Sequence, residues 1–460
     1  MPRYDEVVRT LKIGGLVLGV VALIAVAAGF ALDRYLQSPA FKEAVIRSAH
    51  DLLGSDVRIG DIHVSLLSGA SLTAVSVANP PGFDGDLLHA DAVVLRYRLW
   101  PLLRKRLEIG RLVLEGPTLA VTRREAGEWN YEHLGARGPA SGVRTPRAAP
   151  SAETPSPSGV VGGLDVVLPE VVVSRGVVLV TGPSAAPIAR LEQLDLTATL
   201  GWTGGAVRGD GHLSAGALSI GDRLFVRQVA APLAFTPGEV KLATLTGTLG
   251  GGNLKADLIV RSVAGFRYSA TIAVRDADVQ TLLREAHVRR ALGGGRLQLL
   301  ASVEGTGGPA GLTGQGRAEV TGGELVDVPL LRTVQLVLQL PFLRSMKLDE
   351  FWVDFSLARN VLTMPALRVA SHDLRITGKG TVRLDTETLD HQLTLALPKA
   401  TVDRAPRDVR RVFTEQPDGW PTLAFRVWGP YDAPRTDLTD RVLRGAAEGA
   451  LRKGLQQLFR

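Results

Sequence analysis

The residue types that ordinarily carry chemistry occur in this chain without the spacing that chemistry requires. Eight histidines stand at positions 50, 63, 89, 133, 212, 287, 372 and 391. A helical zinc site needs two of them three or four residues apart, and a strand site needs them two apart, because only those steps bring imidazoles to one face. No pair has such a spacing. His63 and His391 fall within alternating strand patterns and are expected at the surface. The nearest approach to a serine nucleophile elbow is Ala217-Leu218-Ser219-Ile220-Gly221. It has alanine where the sharp turn needs glycine, and no helix signature follows, so Ser219 reads as a turn residue. Gly378-Lys379-Gly380 lacks the hydroxyl residue after the lysine and the upstream glycine of a phosphate-binding loop. The run from Gly305 to Gly311 is interrupted by Pro309 and opens no helix. Both glycine pieces read as hairpin turns. The pairs Asp84/Asp86 and Asp276/Asp278 lie beside turns without calcium-loop spacing, and read as turn caps. With no cysteine anywhere, thiol catalysis, disulfides and iron–sulfur ligation drop out as well. No catalytic residue, no metal site and no cofactor is expected, and the chain reads as a non-enzyme.

What remains is a question of architecture. The chain has 460 residues, 51 of them glycine, and only 5% aromatics. Many glycines without a collagen period suit many short strands separated by turns. The net charge is +7, from 53 Lys+Arg against 46 Asp+Glu. The signs alternate and no basic stripe carries interleaved aromatics, so nucleic acid is not an expected partner. A solvated, arginine-rich surface, or one near anionic headgroups, accounts for the excess.

From Ile13 to Leu32 the sequence IGGLVLGVVALIAVAAGFAL holds no charge. At about 1.5 Å per residue it reaches roughly 30 Å, the thickness of a bilayer's hydrocarbon core. A cleaved signal peptide competes, because Arg9 and Lys12 precede the run and Ala25-Val26-Ala27 has the small-x-small cleavage pattern. The apolar run continues past that point to Leu32, which favours an uncleaved anchor. Lys and Arg flank the span evenly, and the short N-terminal flank makes a cytoplasmic N-terminus the natural choice.

Behind the anchor, Ser38 and Pro39 open a short helix that Gly54 closes, with Phe41, Val45, Ala49 and Leu52 on one face. The period then changes to two and scarcely stops. Val93-x-Leu95-x-Tyr97-x-Leu99 and Leu254-x-Ala256-x-Leu258-x-Val260 are examples of what reads as twenty to twenty-five strands. Residues 135–160 are a Pro/Ala/Ser-rich linker or loop, residues 276–292 interrupt with a helix, and the stretch from Thr436 reads as a basic C-terminal helix.

Several stretches together resemble the AsmA family of bacterial envelope proteins. In the N-terminal part these are Asn79-Pro80-Pro81-Gly82-Phe83, then LRYRLWPLLRKRLEIGRLVLEGPTLAV, then Gly127-Glu128-Trp129-Asn130. In the C-terminal part they are GLTGQGRAEVTGGELVDVPLLRTV and the segment from FWVDFSLARN to DHQLTLAL. The resemblance implies a mostly β fold: a transmembrane helix, a short helix, then an elongated, twisted antiparallel β-sheet or groove with a few short helices and a C-terminal helix. The corresponding division is 1–12 cytoplasmic, 13–32 anchor, 33–134 N-terminal helix and β region, 135–160 linker, 161–435 β-groove region and 436–460 basic helix. It also implies a single-pass inner-membrane protein with its bulk in the periplasm. Relatives, including the larger TamB-like proteins, are thought to carry phospholipid along a β-groove for outer-membrane biogenesis and integrity.

A physical argument points the same way. A sheet must hide one face, and this sequence offers few helices to cover it. Either a second sheet closes the face, as a sandwich or barrel, or something other than protein does. Phospholipid acyl chains would be shielded at about 0.8 kcal/mol per buried CH₂. The expected lining is Phe351, Val353, Phe355, Leu357, Leu374, Ile376, Leu393, Leu395 and Leu397. The expected partners are phospholipid and the inner membrane. The alternative is a structural or assembly factor that pairs with outer-membrane or periplasmic proteins through open sheet edges.

Overall fold

The computed structural model describes residues 38–65, 69–97, 106–125, 127–133, 159–161, 164–167, 170–203, 206–261, 267–287, 292–306, 311–326, 335, 345–430 and 433–441. The apolar run 13–32, nearly all of 135–160 and most of 436–460 lie outside them. The chain divides into two compact units, Met1–Gly216 and Ala217–Arg460. Both are mostly strand.

The first unit begins with helix α1 (Pro39–Leu53), which Pro39 opens and Gly54, at φ 66°, closes. Val45, Ile46 and Ala49 of this helix rest on Val57, Ile59 and Val77. Strands β1 (Val57–Arg58) and β2 (Ile62–Ser65) pair with β3 (Gly69–Ala78), and β3 pairs with β4 (Asp86–Tyr97). Next come β5 (Arg106–Glu115) and β6 (Thr118–Thr122), both antiparallel to β4. The small strands β7 (Gly159–Val161) and β8 (Leu164–Val167) pair with each other, and β8 also runs parallel to the start of β5. The uniform antiparallel order expected from the sequence breaks again at β9 (Glu170–Thr181), which runs parallel to β5 and β6. A tight turn can only reverse direction, whereas a parallel partner needs a long crossover. The stretch between β6 and β9 has that length. β10 (Pro187–Thr203) returns antiparallel to β9, and β11 (Ala206–Ile220) carries the boundary between the units.

The second unit is a meander. β12 (Leu224–Thr236), β13 (Glu239–Leu249), β14 (Gly252–Arg261) and β15 (Arg267–Asp278) each pair antiparallel with the next. Helix α2 (Val279–Glu285) follows, and the Asp278 carboxylate caps it by accepting the Thr281 N–H at 2.7 Å. The ribbon β16 (Leu292–Gly293), β19 (Glu324–Val326) and β20 (Ser345–Lys347) stands apart from the main ladder. The ladder itself runs on through β17 (Arg296–Thr306), β18 (Thr313–Thr321), β21 (Glu350–Ala358) and β22 (Val361–Ala370). It finishes with β23 (Arg375–Arg383), β24 (Thr388–Ala396), β25 (Thr422–Pro430) and the short β26 (Arg435–Thr436). Between β24 and β25 lie α3 (Lys399–Arg404) and α4 (Arg407–Arg410).

The two long edges of this ladder differ. The described helices and the ribbon all leave from the edge where β15, β18 and β24 end. The opposite edge carries short reversals, such as Arg359-Asn360 with φ of 50° and 60°, the mirror-image turn that matches strand twist. Bulges bend the strands. Thr244 takes φ 51° where the β13–β14 register shifts, and its N–H is satisfied at 2.8 Å by the Asp257 carboxylate of the next strand. The same arrangement recurs in the first unit, where Arg175, at φ 56°, donates its N–H to Asp195 at 3.1 Å.

Candidate functional site

Side chains of directly opposed residues share a sheet face, so the register reads out the surface of the second unit row by row. One row runs Ala277, Leu297, Val320, Phe351, Val369, Ile376, Leu395, Leu423. The next runs Leu254, Val274, Leu299, Ala318, Val353, Leu367, Gly378, Leu393, Phe425. A third contains Ile272, Ala301, Gly316 and Phe355, and across the β21–β22 bulge Gly380, His391 and Val427. A fourth contains Leu258, Ala270, Val303, Gly314, Leu357, Leu362, Val382 and Leu389. The face is continuous and almost wholly apolar.

Burial along it is graded. The first row lies at the edge that carries the helices, and Ala277, Val320, Ile376, Leu395 and Leu423 are all buried there. The fourth row, beside the hairpins, is half-buried throughout. The grade also runs along the ladder. At β23–β25, α3 and α4 place Val402, Ala405 and Val409, with Phe413 beyond them, into a core with Leu374, Leu395, Leu397, Phe425 and Leu438. In the middle, at β14–β21, the second to fourth rows are largely half-buried, and among the described residues no helix or second sheet lies over them. An open hollow of about 700 Å³ lies in this region, lined by Ile272, Ala301, Gly316 and Phe355 of the apolar face together with residues of the opposite face such as Leu300, Arg317 and Asp354. Gly316 leaves the room that the Phe355 ring occupies, since a Cβ there would meet the ring at 2.6 Å.

The nine residues read from the sequence as lining therefore fall into two groups. Phe351, Val353, Phe355 and Leu357 stand half-buried on β21. Leu374, Ile376, Leu393, Leu395 and Leu397 belong to the closed core under α3 and α4, where protein already covers them.

The opposite face is built for water. Arg317 stacks over Trp352 at 4.6 Å and reaches Asp354 at 3.5 Å, and Arg368 pairs with Glu350 at 3.0 Å. Arg426 grips Asp390 through two hydrogen bonds of 2.8 and 2.6 Å, which hold that carboxyl below its usual range. The far end of the ladder is finished off. Thr414 bridges the outer edge of β25 at Thr422, β26 covers Val427 and Trp428, and Asp437 accepts the Arg426 N–H at 2.8 Å. These contacts occupy backbone groups to which another strand would otherwise add.

Three sequence readings change. His391 is not at the surface: it is 8% exposed, on the apolar face between Gly380 and Val427, and burial lowers its pKa below the ordinary 6.5. Gly378-Lys379-Gly380 is no hairpin but the middle of β23, where the glycines make room for Leu393 and the His391 ring. Ser219 lies buried within β11 and is not a turn residue. Among the described residues no cluster of His, Asp or Glu is placed to hold a metal ion.

In the first unit, the two short motifs noted in the sequence meet. Asn130 is fully buried and donates to Asn79 Oδ1 at 2.8 Å and to the Ala120 carbonyl at 2.7 Å, while its own Oδ1 accepts the Thr122 N–H at 3.1 Å. Asn79 in turn donates to the Asp84 carbonyl at 2.7 Å, and Arg124 lies over Phe83 at 4.5 Å while donating to the Gly82 carbonyl. The motif around 79–83 and the motif around 127–130 are thus one knot that ties β6 to the β3–β4 turn. Sequence spacing alone gave no sign of the pairing.

Fold and face together define a class: a β-meander protein that presents a continuous apolar sheet face, capped by helices at one end and along one edge. Residues 8–199, less than half of the chain, match the model of the AsmA family, which supports an AsmA-family assignment. No curated protein and no solved structure matches the chain.

Proposed function

We propose that the chain is a non-catalytic, membrane-anchored envelope protein that shields phospholipid acyl chains on the apolar face of its second unit. In this reading residues 13–32 hold it in the inner membrane with its bulk in the periplasm, and it serves outer-membrane biogenesis and integrity. The observation that carries the reading is the half-buried middle of that face, with Val353 and Phe355 at its centre. A soluble surface seldom leaves so much contiguous apolar area to water unless a ligand covers it. The strands supply the dimensions. Nine to thirteen residues at about 3.3 Å give a width of roughly 30–43 Å, and eleven laddered strands at about 4.8 Å extend roughly 50 Å. That width exceeds an extended acyl chain. Each methylene withdrawn from water contributes about 0.8 kcal/mol, so one chain is held firmly by area alone, without polar recognition. The reading of the chain as an assembly factor that accepts client strands finds less support, because the outer edge of β25 is occupied.

The test uses the full chain carrying a photoreactive benzoylphenylalanine at Val353 or, as a control on the outer face, at Lys379. Crosslinked phospholipid at 353 and none at 379, with phospholipid in the mass spectrum of the purified protein, is the expected result. No bound lipid and no crosslink at 353 would overturn the reading.

A further inference from the structure

The outer surface of the helical cap is a feature that the groove does not use. Between Lys399 and Arg411 the chain carries five basic residues and two acidic ones. Helices α3 and α4 commit Val402, Ala405 and Val409 to the core, which turns Arg404, Arg407 and Arg410 outward, and all three are exposed. Lys399 is engaged by Glu415. The side chains of these three arginines make no ion pair or hydrogen bond with any described side chain, and their backbone bonds stay within the two helices and the turn that follows. This departs from the sheet's outer face, where Arg317, Arg368 and Arg426 each have a carboxylate partner.

We propose that this cap docks on an anionic phospholipid surface, with Arg404, Arg407 and Arg410 binding headgroup phosphates. Guanidinium matches phosphate in charge and in its paired donors, and it sheds water more readily than an ammonium. No aromatic residue stands among the three, so the patch lacks the stacking platform that single-stranded nucleic acid favours. The apolar seat beneath the helices keeps all three side chains in water, where headgroup phosphates can reach them. The proposal does not depend on the groove's cargo.

The experiment holds the full chain in phosphatidylcholine nanodiscs and measures its capture on supported bilayers. One bilayer is pure phosphatidylcholine and the other contains one third phosphatidylglycerol. Capture should occur on the phosphatidylglycerol bilayer only and fall as salt is raised. A basic residue close to an anionic leaflet is worth about fivefold in binding, so Arg404→Gln, Arg407→Gln and Arg410→Gln together should weaken capture on the order of a hundredfold. Lys379→Gln, on the sheet's outer face, should leave it unchanged. Because the three side chains are exposed, an unaltered melting curve confirms that the fold is retained. Equal capture on both bilayers, or unchanged capture by the triple variant, would overturn the proposal. A Val353→Asp chain that loses lipid yet still docks would separate this surface from the groove.

Discussion

Truncating two aliphatic residues of the same face tests where that face is open. Leu395 and Val353 stand one row apart on it, but Leu395 is 1% exposed under the helical cap and Val353 is only half-buried. For Leu395→Ala, the lost transfer free energy adds to that of the cavity left inside a packed core, a total of about 3 kcal/mol or more. Val353→Ala removes two methyl groups worth about 0.8 kcal/mol each when fully buried, hence about 1–1.5 kcal/mol in all for a side chain that keeps part of its surface in water, and it leaves no enclosed cavity. With roughly 3 °C of melting temperature per kcal/mol for a unit of this size, delipidated protein should lose about 9 °C in the first case and about 3–4 °C in the second. Calorimetry or circular dichroism on both variants measures this. In protein that has not been delipidated, Val353→Ala should cost more than it does after delipidation, because bound acyl chains complete its environment, while the cost of Leu395→Ala should hardly move. Equal losses for the two variants in delipidated protein would mean that protein covers Val353 as completely as Leu395, and the argument for a lipid-bearing face would fail.

Asn130→Ala should be among the most destabilising substitutions in the first unit, at about 3 kcal/mol, because it strands the Thr122 N–H, Asn79 Oδ1 and the Ala120 carbonyl. Denaturant midpoints should show that Asn79→Ala costs much less in the Asn130→Ala background than alone, since the partner is already lost. His391 makes a pH prediction. Burial, partly opposed by the Asp390 charge, puts its pKa in the folded chain below the ordinary 6.5, so below that pH the unfolded chain binds a proton that the folded chain refuses. The stability it contributes is complete above pH 6.5 and is lost as the pH falls toward the lowered value. His391→Leu should flatten that part of the melting-temperature profile, and a His391 ring signal titrating at or above 6.5 by NMR would contradict the assignment.

Much of the β character was legible because a half-buried strand writes its burial into alternate residues. Leu254 to Val260, Tyr268 to Val274 and Phe351 to Leu357 fall on strands as their alternation predicts, and the helix expected within 276–292 forms over Val279–Glu285. The cap at 399–410 was not legible. Its two helices are four to six residues long, too short for a period to emerge, and they are held by the core beneath them more than by their own propensity. His391 was misplaced for a related reason. Alternation puts it in line with Leu393 and Leu395, and its polar type argued for the surface, but the glycine opposite it at position 380 leaves space for a ring on the apolar side.

By itself, then, the sequence determined that strands dominate and that one side of them is apolar. Both follow from local stereochemistry, because successive side chains must point to opposite faces. Only the tertiary structure decided which part of the apolar side is closed and which stays open. That choice depends on residues far apart in the chain, with Val402 and Val409 folding back over Leu374 and Leu395 while Val353 and Phe355 receive no such cover among the described residues. It likewise decided that β9 runs parallel to β5 and that Asn79 meets Asn130. Contacts of that range are set by how the elements close on one another, which no window of neighbouring residues records.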